Sequence, residues 1–330
     1  MDFEFRYSDL FLNNIMDLKD IKIGVLGGGV SGEREISLIS AWESYQALRR
    51  NKLNAVFIDI YTSQKEKVKE LISLANIDLA FIALHGEFGE DGKIQQILEE
   101  LDIVYSGSGP QASFLAMDKI ASKNIFIKSG LPTPNFDICW DIKNIPEIVK
   151  YPVVTKPCSC GSSLGVSIIQ EKAGLKQAAV KAFVCPGQNQ IIIEEYIEGR
   201  ELTVGILDNK PLAVVEIFPK QGYYDFANKY TEGKTEFKAP AELESSIYKK
   251  VQEVCFLAHK VLNCRHFSRV DIRLSQNNDP YVLEVNSIPG LTSHSLLPLS
   301  AKAWGLNFDQ LILKITEMAF NEKTKEVQKA

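Results

Sequence analysis

An aspartate, a glutamate, an asparagine and an arginine near the end of the chain could together hold a divalent cation beside an anion. They lie in two strand-like runs, SRVDIRL and YVLEVN, which flank the turn-rich SQNNDP. Folding these runs as a hairpin about Asn277-Asn278 puts Asp271 opposite Glu284. The same register puts Arg269 opposite Asn286, two residues along and therefore on the same face. Carboxylate and amide oxygens suit a hard cation such as magnesium. A guanidinium beside them suits a phosphate or a developing oxyanion. This is the wiring of magnesium–nucleotide chemistry. The other reading of the same alternation is the solvated face of an antiparallel sheet. The flanking SIPGLTSHS, a Pro-Gly turn followed by Ser and Thr donors, fits backbone brought close to an anion better than a hairpin end.

Further candidates sit where strands end. Gly27 to Gly32 satisfies G-x-G-x-x-G, the dinucleotide fingerprint, but Glu33 and Glu35 follow at once. Carboxylates there would repel a pyrophosphate that needs bare N–H groups. For Glu35 the reading is complementation of the helix dipole; for Glu33 that reading stands beside a second, the binding of a substrate ammonium. His85 opens a glycine-rich loop directly after an apolar strand, so it either faces a ligand crevice or serves the fold. Lys156 ends the strand VVTK, and the loop Cys158 to Gly165 after it carries two glycines and three serines. Such a loop can cover phosphates while the lysine supplies a point charge, though it is not a Walker A motif; the alternative is a plain Gly/Ser hairpin. Glu194 and Glu195 stand where another apolar strand stops, a place suited to an adenine edge, with Glu201 within reach of ribose hydroxyls; taken without the other motifs, the segment reads as an exposed acidic linker. Tyr224 to Tyr230 puts several large rings into the long polar stretch Pro219 to Pro240, which reads as a lid.

The elements that must position these residues follow from periodicity. Up to residue 107 the chain alternates strand and helix: Ile21–Leu26, a helix from Glu33 to Asn51, Ala55–Ile60, a helix over Lys65–Ala75, Asp78–Leu84 and Ile103–Gly107. That pattern predicts a parallel α/β unit. Residues 108–199 begin with a helix containing MDK and continue through two strands, a helix over Lys172–Val184 and the strand IIIEEY. Residues 200–330 are strand-rich, with a long helix over Ala241–Leu262 before the hairpin and two helices after it.

Composition sets bounds. The chain has 330 residues, 45% of them apolar, and a formal charge of -5. That charge argues against a nucleic-acid-binding surface. No apolar run reaches the roughly 18 residues of a membrane span. Six scattered cysteines suit a reduced, cytosolic protein, and the Cys158-x-Cys160 pair has no partner cluster for zinc. The first twenty or so residues read as an acidic, aromatic extension.

Taken in order, GGGVSGEREIS, LHGEFGEDG, MDK, VVTKPCSCGSSLGVS, IIIEEYIEGRELTVGIL, YYDFANKY and SRVDIRL with YVLEVNSIPGLTSHSLLP resemble the D-alanine–D-alanine ligases of the ATP-grasp superfamily. The resemblance runs from about residue 21 to residue 300. It implies a three-domain ATP-grasp fold: an N-terminal parallel α/β domain (1–107), a central subdomain (108–199) and a C-terminal subdomain (200–330) with the metal site and a lid over 219–240. It implies that ATP phosphorylates one D-alanine and that the amine of a second attacks the acyl phosphate, in peptidoglycan synthesis. Glu33 matches the residue that holds the first ammonium, linked to Ser162 and Tyr230. His85 lies near the first D-alanine. Arg269 and the Gly290 N–H stabilise the oxyanion. Ser295 and Leu296 take the second carboxylate. Lys119, Lys156 and Lys229, with Ser163 in the glycine-rich loop, match phosphate positions, and Glu194, Glu195, Ile197 and Glu201 match adenine and ribose positions. Asp271, Glu284 and Asn286 match the ligands of two magnesium (or manganese) ions. Homodimers are common in that family. The presence of Tyr230 favours an amine acceptor over a hydroxy acid such as D-lactate. Cys158 and Cys160 depart from the family pattern, which has polar or charged residues there.

Overall fold

The computed structural model describes residues 18–148, 150–220 and 233–327. Three sheets organise them. The first holds β1 (Lys22–Gly28), β2 (Asn54–Ile60), β3 (Leu79–Ile82) and β4 (Val104–Tyr105) in the order β2-β1-β3-β4, with every pairing parallel. Helices α1 (Arg34–Arg50), α2 (Lys65–Ala75) and α3 (Lys93–Glu100) connect the strands. β1 and β3 are apolar and buried almost throughout, as strands covered on both faces must be.

Two short helices follow, α4 (Pro110–Met117) and α5 (Lys119–Lys128). The MDK motif is not inside one helix but at the junction between them. Asp118 accepts hydrogen bonds from the Ile120 and Ala121 N–H groups, both at 2.9 Å, and this capping starts α5 afresh. Lys119 is thereby fixed as the first residue of a helix. The second sheet is antiparallel, with β5 (Phe136–Cys139), β8 (Ile191–Glu195), β6 (Val153–Pro157) and β7 (Ser167–Ile169) in the order β5-β8-β6-β7. Helix α6 (Lys172–Phe183) packs on it through Leu175, Ala178, Ala179 and Ala182.

The third sheet is antiparallel and runs β11-β10-β9-β12-β13. Its strands are β9 (Gly199–Leu207), β10 (Lys210–Pro219), β11 (Thr235–Lys238), β12 (Phe267–Ser275) and β13 (Pro280–Asn286). Part of the stretch expected to be a lid is therefore strand: the alternating Thr-Glu-Phe-Lys of β11 pairs with β10 as an edge. Helix α7 (Ser245–Val261) covers this sheet and starts later than the expected Ala241. Helices α8 (Leu296–Trp304) and α9 (Phe308–Val327) complete the chain. α9 returns to the first sheet, where Leu311, Ile312 and Ile315 share a buried cluster with Ala47, Leu48, Leu79 and Phe81.

The β12–β13 hairpin has the expected pairs, Asp271 with Glu284 and Arg269 with Asn286, but reaches them by a different route. The turn is not the two-residue Asn277-Asn278. Ser275 and Asp279 close a three-residue loop, and Asn278 takes a left-handed φ of 61°. Counted from that turn alone, Asp271 would face Leu283. A β-bulge at Leu283 restores the register and brings Glu284 onto the Asp271 face.

Candidate active site

Two strand-end loops build one wall. β1 and β3 are parallel neighbours, so the loops that follow them leave the same sheet edge. Glu33 occupies the N-cap position of α1, yet its side chain does not cap the helix. Its carboxylate instead accepts a hydrogen bond from the Ser162 hydroxyl in the glycine-rich loop after β6. Ser31 ties the two strand-end loops, donating to the His85 carbonyl at 2.8 Å and accepting from the Glu33 N–H at 3.1 Å.

The His85 imidazole is buried and fully engaged. Nδ1 lies 3.0 Å from the Ile288 carbonyl, and Nε2 lies 2.8 Å from the Ser40 hydroxyl. A carbonyl only accepts, so Nδ1 carries the proton, and in the neutral ring Nε2 accepts from Ser40. The Leu291 N–H donates to the same Ser40 oxygen at 3.3 Å. His85 thus fastens the N-terminal loops to the segment holding Gly290. Glu90 stands 3.8 Å from Nδ1. Burial raises its pKa above the ordinary carboxyl value; nearby Glu33 adds to this, while His85 and Arg269 oppose it. One buried carboxyl therefore feels groups from both the first and the third sheet.

The Glu33 carboxylate has little room. A Cβ on Gly161 would stand 2.5 Å from Oε2, and one on Gly86 would stand 2.6 Å from it. Ser162 and Ser163 hold left-handed φ angles of 52° and 55°, an uncommon and mildly costly state for residues with side chains. The loop is held by neighbours. Lys119 donates its N–H to the Cys158 carbonyl at 2.9 Å and its Nζ to the Cys160 carbonyl at 3.2 Å. Gln188 accepts from the Cys158 N–H at 2.8 Å. We expect Gly161→Ala to push Glu33 aside and raise KM for the ammonium-bearing substrate while leaving KM for the nucleotide near normal. Steady-state kinetics with each substrate varied in turn checks it.

The second and third sheets enclose a cleft of roughly 460 Å³, within the usual range for a small-molecule site. Every described residue of the expected nucleotide set lines it: Lys119, Lys156, Ser163, Glu194, Glu195, Ile197 and Glu201. Glu194 is buried at its floor, 2.5 Å from Lys156 and 3.0 Å from Lys123. Burial works against the Glu194 charge, but the two lysines outweigh it and its pKa lies below the ordinary value. Lys123 is fully buried, and desolvation brings its pKa down to about 8 despite Glu194. For Lys119, burial also opposes the charge, and Glu284 at 3.1 Å outweighs it, so its pKa is raised.

Asp271 is gripped on the sheet face. Arg269 donates Nε and Nη2 to its two oxygens at 2.8 and 2.7 Å, Thr203 donates at 2.6 Å and Asn286 at 3.1 Å. Among the described residues no cluster of three His, Cys, Asp or Glu side chains stands ready for a metal. The donor set here is different in kind, two carboxylates and an amide, all oxygen ligands that fit a hard divalent cation whose remaining ligands are phosphate and water. Beyond the hairpin, Ser295 precedes α8 and its hydroxyl lies 2.8 Å from that of Thr292. The Ser295 oxygen sits over Gly290, 2.7 Å from where a Cβ would be. Leu296 begins α8, where N–H groups are free of helix partners and favour a carboxylate. Tyr230 and Lys229, with the other aromatics expected to form a lid, lie outside the described residues.

Several residues of the site had no place in the sequence reading. Ser37, Ser40 and Ser44 form a buried polar stripe on α1 at helical spacing, a signal that could have flagged Ser40. Thr203 is the β9 partner of Asp271 and alternates with apolar neighbours. Lys123 lies one turn beyond Lys119. Ser31, Glu90 and Gln188 carried no comparable signal.

A parallel α/β unit beside two antiparallel sheets that clasp a nucleotide-sized cleft is the ATP-grasp architecture. Solved structures agree. A Bacillus anthracis D-alanine–D-alanine ligase complexed with ATP superposes with a TM-score of 0.80 at 32% identity, covering 93% of this chain and 99% of that one. The VanG D-Ala:D-Ser ligase of Enterococcus faecalis superposes with a TM-score of 0.76 at 31% identity, covering 91% of this chain and 99% of that one. The chain belongs to the D-alanine–D-alanine ligase family: the family models described as D-ala D-ala ligase N-terminus and C-terminus match residues 61–108 and 129–317. A D-alanine–D-alanine ligase of Citrifermentans bemidjiense is 41% identical over 305 residues, covering 92% of this chain and 98% of the relative. One from Methylacidiphilum infernorum is 43% identical over 298 residues, covering 90% and 95%.

Proposed function

We propose that this protein uses ATP to join two D-alanines into D-alanyl-D-alanine through a D-alanyl phosphate, supplying peptidoglycan synthesis. The observation that carries the reading is the convergence of Arg269, Asp271, Asn286 and Glu284 on one face beside the nucleotide cleft, with Glu33 reaching Ser162 across from the first sheet. Relatives named D-alanine–D-alanine ligase over nearly their whole length support the same chemistry.

Each group then has a task. Glu33, oriented by Ser162, holds the ammonium of the first D-alanine and leaves its carboxylate facing the nucleotide. Lys119 and Lys156 offset phosphate charge, and Glu194 holds Lys156 in place. Glu195, Ile197 and Glu201 hold the adenine and ribose end. The N-terminus of α8, with Ser295 and the Leu296 N–H, takes the carboxylate of the second D-alanine. Its amine then meets the acyl carbon beside Arg269 and the Gly290 N–H, which stabilise the tetrahedral oxyanion. Asp271, Glu284 and Asn286 would hold two magnesium (or manganese) ions, which when bound neutralise phosphate charge. Tyr230 and Lys229 complete the set of residues that the family resemblance implies.

The proposal places the enzyme in the cytoplasm, where ATP is available; among the described residues no helix is long and apolar enough to cross a membrane. A homodimer is the expected assembly. The test is ADP release with ATP, magnesium and D-alanine alone, followed by mass analysis of the product when D-serine or D-lactate competes. D-alanyl-D-alanine is the expected main product throughout. No D-alanine-dependent ADP release sinks the proposal, and a mixed ester or D-alanyl-D-serine as main product moves it to another acceptor.

A further inference from the structure

Arg273 is the third polar residue on one face of β12. Arg269, Asp271 and Arg273 alternate with Val270, Ile272 and Leu274, which are buried in the cluster that also holds Val251 and Cys255 of α7. The first two have tasks in the chemistry above. Arg273 lines the nucleotide cleft and has none.

Its guanidinium is committed to one short segment, residues 196–201, by which the chain crosses from β8 in the second sheet to β9 in the third. Nε donates to the Ile197 carbonyl at 3.1 Å. Nη2 donates to the Gly199 carbonyl at 2.9 Å and to the Tyr196 hydroxyl at 3.2 Å. Nη1 lies 3.4 Å from the carboxylate of Glu201, its direct neighbour on β9. The guanidinium carbon stands 5.3 Å from the centre of the Tyr196 ring, within cation–π range. The crossing lies hard against β12: a Cβ on Gly199 would stand 1.9 Å from the Leu274 carbonyl oxygen. Two of the residues held in this way, Ile197 and Glu201, are those assigned above to the adenine and ribose end.

We propose that Arg273 is a positioning residue that makes the cleft selective for ribonucleotides, acting through Glu201. The two carboxylate oxygens have lone pairs enough for Arg273 and a ribose hydroxyl together. Held by Arg273, Glu201 presents a fixed acceptor at the sugar. Without that hold the acceptor is spread over several rotamers, and a missing hydroxyl makes little difference. Arg273 also offsets the Glu201 charge in a cleft that takes an anion, and its bond to the Ile197 carbonyl fixes the backbone at the base. A planar fork can reach two carbonyls, a hydroxyl and a carboxylate at once, which a lysine ammonium cannot. The selectivity rests on the nucleotide part of the reading above and not on which amino acids are joined.

Calorimetry of the full-length protein with ADP and its 2′-deoxy and 3′-deoxy analogues tests this without turnover. The parent should bind one of the analogues about tenfold more weakly than ADP, the size of one hydrogen bond to a charged group. In Arg273→Met that ratio should fall to about twofold, with ADP itself bound about tenfold more weakly. In a Glu201→Ala background, Arg273→Met should leave the ratio where Glu201→Ala alone puts it, because nothing remains to be positioned. In turnover, Arg273→Met should raise KM for ATP and leave kcat and KM for D-alanine near the parent values. A parent that binds ADP and both analogues equally overturns the proposal. So does an Arg273→Met chain that keeps the parent ratio, or a ratio that moves again in the double variant. Should Arg273→Met not fold, Arg273→Lys decides: a narrowed ratio supports the proposal and an unchanged one overturns it. A parent that binds ADP but shows no D-alanine-dependent ADP release sinks the ligation reading alone, and the binding ratios still judge Arg273. A parent that binds no ADP sinks both.

Discussion

Arg269→Ala removes nearly all ligation while ATP still binds. Arg269 is buried and points its fork at Asp271 through two bonds of 2.8 and 2.7 Å. Its proposed task is to meet negative charge that exists only while the new bond forms, and losing one such donor costs about 10²–10³ in rate. The metal face should survive the change, because Asp271 keeps Thr203 at 2.6 Å and Asn286 at 3.1 Å. Arg269 is not among the residues lining the nucleotide cleft, so ATP affinity measured by calorimetry should stay close to that of the parent. Arg269→Lys keeps the charge but not the planar fork and should recover only part of the rate. Turnover near normal in the alanine variant would count heavily against the proposed role.

The largest expected loss of stability comes from Glu194→Gln. The change strips the counter-charge from Lys123 and Lys156, both buried within 3.0 Å of it. Breaking a buried ion pair from one side costs about 3–5 kcal/mol. The pH dependence has a definite sign. The Glu194 pKa is lower in the fold than in the open chain, so its contribution is complete above the ordinary carboxylate pKa and is lost as pH falls through the folded value. The glutamine variant should lack that acid limb. Lys123, already near pKa 8 with Glu194 present, should shed its proton more readily without it. Between its folded and unfolded pKa values the open chain binds the extra proton, so the variant regains stability as pH rises. Urea unfolding at about pH 6 and about pH 8 checks the Lys123 limb, the deficit being larger at the lower pH. Equal deficits at the two values would mean that Lys123 does not titrate as described.

What was legible in the sequence was whatever local chemistry dictates. Alternation in SRVDIRL and YVLEVN placed Asp271 and Glu284 together because pleat direction is a two-residue rule. The turn departs from the two-residue expectation because Asn278 takes the left-handed conformation itself, and the compensating bulge at Leu283 preserves the pairing. The MDK boundary escaped because the helical pattern continues across Asp118, whose capping role depends on backbone geometry. The Lys123–Glu194–Lys156 cluster and the Thr203–Asp271 bond join residues distant in the chain, and no periodicity announces such meetings. His85 was found by position after a strand, but its engagement with Ser40 and Ile288 depends on how the third sheet docks against the first.

The homecoming of α9 has a bearing on how the polypeptide is made. The apolar side of the opening sheet, with Leu79 and Phe81, is sealed by Leu311, Ile312 and Ile315. Those three leave the ribosome some two hundred residues after the strands they cover. Through that interval the sheet must wait with greasy surface uncovered, so a transcript cut short before α9 should yield a sticky, chaperone-dependent fragment rather than a smaller working enzyme.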